Sequence, residues 1–101
     1  MRQFILDASY MTDKQSAHEY IARQCSFPEY YGHNLDALHD MLTDIFEPTI
    51  IKIEKTELLE TQLGDYGNTL LDVFKDSIAE NNFLKLEIHK SMSYYLESKD
   101  S

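Results

Sequence analysis

The chain has 101 residues, 43% of them hydrophobic and 27% charged, which is enough for the core of one domain and leaves no room for a second. With 9 Lys and Arg against 18 Asp and Glu the formal net charge is −9, which argues against a nucleic-acid surface and for a basic partner or a metal. The lone Cys25 excludes an internal disulfide framework and a four-cysteine zinc site, and the opening apolar run Phe4-Ile5-Leu6 is too short for a signal peptide or a membrane span, so a cytoplasmic protein with no membrane association is expected.

Phe4-Ile5-Leu6, stopped by Asp7-Ala8-Ser9, reads as a short buried strand and is a candidate for the central one. Thr12 and Gln15 have capping-box spacing ahead of Ala17, Tyr20, Ile21 and Cys25, which predicts a helix over about 13–25, ended by Pro28. After the loop 27–33, Asn34 is a good N-cap, with Asp36 where the helix dipole favours a carboxylate. The stripe Leu35, Leu38, Leu42 and Ile45 predicts a second helix over about 35–46, closed by Pro48.

Thr49-Ile50-Ile51-Lys52-Ile53-Glu54 after Ile50, and residues 84–89, alternate apolar with polar, as half-buried strands with one wet face do. Between them a short helix is expected near 56–63 and a longer one near 69–81, with Gly64 and Gly67 bracketing a turn and Asn68 or Thr69 as cap. The order β-α-α-β-α-α-β describes an α/β fold with a parallel sheet, and the wet strand faces suggest that all helices lie on one side. The domain occupies 1–90. Residues 91–101, with two tyrosines and a leucine but no clear period, form a C-terminal extension expected to be partly ordered at most.

No nucleotide-binding glycine frame, nucleophile elbow, H-E-x-x-H or paired cysteine is present, which sets aside the easily read hydrolases and zinc sites and leaves any enzyme reading to rest on scattered residues. The informative feature is charge segregation. Between Arg23 and Lys52 there is no Lys or Arg, whereas Glu29, Asp36, Asp40, Asp44 and Glu47 all fall there. At about 100° per residue, Asp36, Asp40, Thr43, Asp44 and Glu47 cluster opposite the leucine stripe, with His39 at the edge. A solvated helix face is the plain interpretation of such a pattern. Carboxylates at i, i+4 and i+8 nevertheless repel one another, and the adjacent Tyr30 and Tyr31, read as exposed, suit a docking surface for a positively charged cleft. Asp72, Asp76 and Glu80 form a second ridge on the later helix, one field with the first if the two helices are neighbours.

His39 with Asp36 and Asp40, or with His33, is a metal or acid-base alternative, but an open helix face gives neither a complete ligand set nor a dry pocket; no metal or cofactor is therefore expected. His18 reads as an exposed helix residue, His89 as a polar strand residue and Cys25 as a small buried hydrophobe.

The run Pro28-Glu29-Tyr30-Tyr31-Gly32-His33-Asn34-Leu35-Asp36-Ala37-Leu38-His39-Asp40-Met41-Leu42 resembles the signature of the barstar family of intracellular ribonuclease inhibitors, and Val73-Phe74-Lys75-Asp76 with Ala79-Glu80 looks like that family's later helix. The resemblance implies a three-stranded parallel sheet with helices packed on it. It places Tyr30, Tyr31, Gly32, His33, Asn34, Leu35, Asp36, His39, Asp40, Thr43 and Asp44 on the partner-binding surface, with Asp76 and Glu80 as a secondary acidic contact. It also implies that Asp40 enters the phosphate-binding site of the ribonuclease and mimics the scissile phosphate. The family's tryptophan before that aspartate is His39 here, its next tryptophan position is Ile45, and His33 replaces an acidic residue. The implied partner is thus a basic ribonuclease other than barnase, held one-to-one by a chain that is monomeric when free. An immunity protein against another nuclease toxin, and a regulatory domain on a basic non-nuclease partner, are the alternatives.

Overall fold

The computed structural model describes residues 1–90, and the expectations for 91–101 lie outside the described residues. Strand β1 (Arg2–Asp7) ends where the Asp7 carboxylate accepts from the Ser9 N–H at 2.9 Å and the Ser9 hydroxyl at 2.7 Å, starting a 3-10 turn over Ala8–Tyr10. Helix α1 (Lys14–Cys25) begins one residue later than the Thr12–Gln15 spacing suggested. Asp13 is the cap: it accepts from the Ser16 N–H at 2.8 Å while its own N–H reaches the Ser16 hydroxyl at 3.1 Å.

Helix α2 (Leu35–Thr43) and strand β2 (Thr49–Glu54) follow, then α3 (Glu57–Leu63), α4 (Asp65–Glu80) and β3 (Leu84–His89). The predicted order of elements is therefore observed, with two helix boundaries corrected. Helix α2 stops at Thr43 rather than near 46, and α4 starts at Asp65, so Gly67 sits inside it and neither Asn68 nor Thr69 caps it. The break is Gly64 alone, at φ 63 and ψ −140, a conformation open to glycine and costly for other residues. Gly67 is required for packing instead, since a Cβ there would run into the backbone carbonyl of Leu59 on α3.

All strand pairs are parallel, in the order β1-β2-β3, so β2 is the central strand and β1 an edge. The sequence distinguished them poorly because Phe4-Ile5-Leu6 is the more apolar run. What marks β2 is that its outward residues Ile50, Lys52 and Glu54, flanked on both sides, are half-buried. Phe4, Leu6, Ile51, Ile53 and Leu84 are buried on one sheet face, while Gln3, Ile5, Lys85 and Glu87 on the other are exposed, which matches helices packed on one side. Onto that face α1 buries Ala17 and Ile21, α2 buries Leu38 and Leu42, α3 Leu59, and α4 Leu70 and Phe74. Each large apolar side chain buried in this way contributes about 1.5–3 kcal/mol, and the stripe of α2 is what fixes which of its faces remains outside.

Candidate functional site

The loop before α2 is built as a platform. Its turn closes when the Tyr31 N–H donates to the Pro28 carbonyl at 3.0 Å, and His33 then adopts φ 54, a left-handed conformation in which a short polar side chain is tolerated better than most. Asn34 caps α2 by accepting from the Ala37 N–H at 2.8 Å and uses its amide to hold the Gly32 carbonyl at 3.2 Å. A Cβ on Gly32 would sit tightly against both Asn34 and Ala37, so the bare backbone is part of how the loop lies on the helix start.

Within this loop the two tyrosines separate. Tyr30 is 81% exposed, whereas Tyr31 is 4% exposed and belongs to the core, which corrects the expectation of an exposed pair. The turn closed at Pro28 directs the Tyr31 side chain inward, against Phe27, whose ring centroid is 5.0 Å away, and the ring of His18 at 5.9 Å. His18 is likewise not an exposed helix residue, being 1% exposed. Its Nδ1 lies 2.7 Å from the Tyr31 hydroxyl and its Nε2 2.6 Å from that of Tyr66, so a neutral ring, donating through one nitrogen and accepting through the other, ties α1, the loop and α4 together. Burial pushes the imidazole below its ordinary pKa, with the nearby His33 adding to the effect, and burial raises that of the Tyr31 hydroxyl.

Asp36 and Asp40 on α2 and Asp44 at its C-cap are all exposed, and among the described residues the Asp40 carboxylate makes one long ion contact, 4.0 Å, to His39 Nδ1. Leu35 and Thr43 are half-buried, the latter turning its hydroxyl back onto the His39 carbonyl at 2.9 Å. Helices α2 and α4 are neighbours, which brings Asp76 and Glu80, both exposed, alongside. His39 Nε2 donates to Glu80 at 2.8 Å across the two helices, joining the two acidic ridges into one field. That hydrogen bond, followed by the charges of Glu80, Asp40 and Asp76, outweighs desolvation and raises the His39 pKa.

Three further residues support this face and escaped the sequence reading. Tyr66 completes the His18 bridge, and His18 itself was assigned to the wrong side of its helix. Asn81, buried beyond the end of α4, donates through its amide to the carbonyls of Leu42 at 3.0 Å and Ile45 at 2.8 Å, adding to the Ile45 N–H that already reaches Leu42 and supplying the Ile45 carbonyl just past the end of α2. An asparagine just past a helix reads as an ordinary stop, and nothing in its local spacing shows which other helix it serves. Among the described residues no group of three or more His, Cys, Asp or Glu is arranged to hold a metal ion, and no helix is long and apolar enough to cross a membrane. Cys25 is buried as expected, its thiol pushed up to about 12 by that burial, which removes the thiolate character that reactive cysteines need.

A one-sided three-stranded parallel sheet carrying an exposed acidic helix behind a tyrosine loop defines a small α/β protein with a negative face built from α2 and α4. Residues 1–89 match the family described as Barstar (barnase inhibitor), and the chain belongs to the barstar family, a family of inhibitors rather than enzymes. It is similar to the Bacillus subtilis (strain 168) protein named "Putative ribonuclease inhibitor YrdF", with 33% identity over 81 residues covering 79% of this chain and 89% of the relative. The family match supports a barnase-inhibitor-like role.

Proposed function

We propose that this protein is an intracellular immunity protein that inhibits a basic ribonuclease stoichiometrically by laying α2 and its preceding loop into the active-site cleft. In this reading Asp40 meets the cationic groups that otherwise hold the scissile phosphate, Asp36 and Asp44 extend the contact, and Tyr30 with Gly32, His33, Asn34 and Leu35 supplies the loop side. Asp76 and Glu80 form the flank. The observation that carries it is the run of exposed carboxylates on α2 joined through His39 and Glu80 to those of α4, a field that repels itself and gains from a positive partner. A nuclease must be basic where it binds phosphate, so the two fields are complementary and attract at long range.

Inhibition of a panel of small secreted microbial ribonucleases by the wild type and by Asp40→Ala, at low and physiological salt, tests the proposal. One-to-one inhibition by the wild type, weakened at least thirtyfold by the substitution, is expected, on the scale of about 2 kcal/mol or more for a central interface residue. Inhibition that Asp40→Ala leaves intact would remove the phosphate-mimic assignment. A different nuclease toxin is a second reading, favoured by His39: it engages Glu80 where the family carries a tryptophan and so changes the face presented to the partner.

A further inference from the structure

At the C-terminal end of α2 the surface opens into a groove of about 270 Å³. Its floor is apolar, formed by Phe4, Cys25, Phe27, Met41 and Ile45, and beside it stands Phe46, 84% exposed, a large aromatic side chain that folding leaves in water. The rim carries Asp44 and Glu47. Glu47 is held by the Arg2 guanidinium at 2.7 Å, and Arg2 also lies over the Phe4 ring at 4.9 Å, so this side of the groove is neutralised and braced. Asp44 is exposed and enters no ion pair among the described residues.

Resting on the reading that α2 docks a basic nuclease, we infer that this groove receives one apolar side chain of that nuclease, with a neighbouring lysine or arginine settling on Asp44. Three observations select this occupant. The groove is smaller than the roughly 300–1,000 Å³ of sites that enclose a small molecule, and suits a single side chain. It is continuous with the proposed interface, because Asp44 lines the groove and also belongs, one turn beyond Asp40, to the acidic ridge. Its charge matches: an apolar floor beside a carboxylate that has no ion pair among the described residues fits an apolar residue flanked by a cation, the pairing that a basic protein surface offers. An exposed aromatic beside an apolar pocket is also the composition found at the centre of interfaces rather than on open surface.

Phe46→Ala and Asp44→Asn test the inference. Both residues are exposed, so the fold should tolerate either change, which a thermal scan verifies, and each is compared with Asp40→Ala against the ribonuclease that the wild type inhibits. Phe46→Ala should raise the dissociation rate about tenfold without altering the salt dependence of association, as expected for an apolar contact made after encounter. Asp44→Asn should weaken binding and reduce that salt dependence. If Asp40→Ala weakens the complex while Phe46→Ala binds and dissociates like the wild type, the groove inference falls and the parent reading, which already includes Asp44, stands. If the wild type inhibits no member of the panel, both fall together.

Discussion

His18 and His39 differ in how they bear on stability. The folded state keeps His18 neutral, with a pKa below its ordinary value, so on acidification the unfolded chain takes up a proton at about pH 6.5 before the native ring does. The unfolded state then binds more protons, and the stability contributed by the neutral ring is lost as pH falls below that value. His39 has the opposite sign: its pKa is raised, so its contribution is present below about pH 6.5 and is lost as pH rises through the elevated value. Because His39 lies at the surface and is screened by water, its effect is the smaller one. Urea midpoints between pH 7.5 and 5 should therefore fall toward acid, with the slope much reduced in His18→Gln and slightly steeper in His39→Gln. The aspartates of α2 were legible in the sequence because helical periodicity alone places them opposite a leucine stripe. The inward turn of Tyr31 and the burial of His18 were not, because the partner of each lies on another element and a histidine beside an apolar stripe carries no local mark of which way it faces.

At the scale of elements, the contacts that hold α2 in place come from α4 and the residue after it. Asn81→Ala would take the side-chain donor from the partly buried Ile45 carbonyl and one of the donors from the Leu42 carbonyl, which keeps the Ile45 N–H at 3.3 Å. A loss of about 1–3 kcal/mol is expected for an acceptor deprived in this way, read as a lower denaturant midpoint with an unchanged slope. Gly67→Ala should be at least as damaging, since the added methyl meets the Leu59 backbone rather than a side chain that can move aside. Overpacking of this kind costs typically about 1–3 kcal/mol, and separation of α3 from α4 is the structural consequence to look for in hydrogen exchange. The start of α4 was misplaced for the same reason: Gly67 looks like a turn residue in a linear sequence, and only the close approach of α3 explains a glycine within a helix. Element order and the parallel sheet, by contrast, were legible because strand and helix periods are local properties.

Over the whole molecule, a net charge of −9 acts twice. It works against the folded state through self-repulsion, most of all where α2 and α4 bring their carboxylates together, and it works for association with a positive protein. Added salt should therefore raise the stability of the free protein while slowing its encounter with a basic ribonuclease. Parallel measurements of thermal midpoint and association rate across 0.05 to 0.5 M salt check both, and a midpoint that falls with salt would contradict the first. The same opposition explains why the carboxylates of the two ridges are bridged by a histidine rather than by lysine: His39 holds the helices together at Glu80 without placing a permanent cation in the field.

Parallel pairing also sets a schedule for synthesis. Arg2 pairs with Thr49, and Thr49 with Leu84, so β2 can be completed on its second side only after nearly the whole described chain has been made. The acidic helix leaves the ribosome early, but Tyr66, Glu80 and Asn81, which brace its loop, its histidine and its last turn, follow much later. An unfinished chain therefore carries the charges of the docking face without the support that holds them in place, and ribosomes stalled before residue 81 should yield products that attract a basic protein weakly and release it quickly.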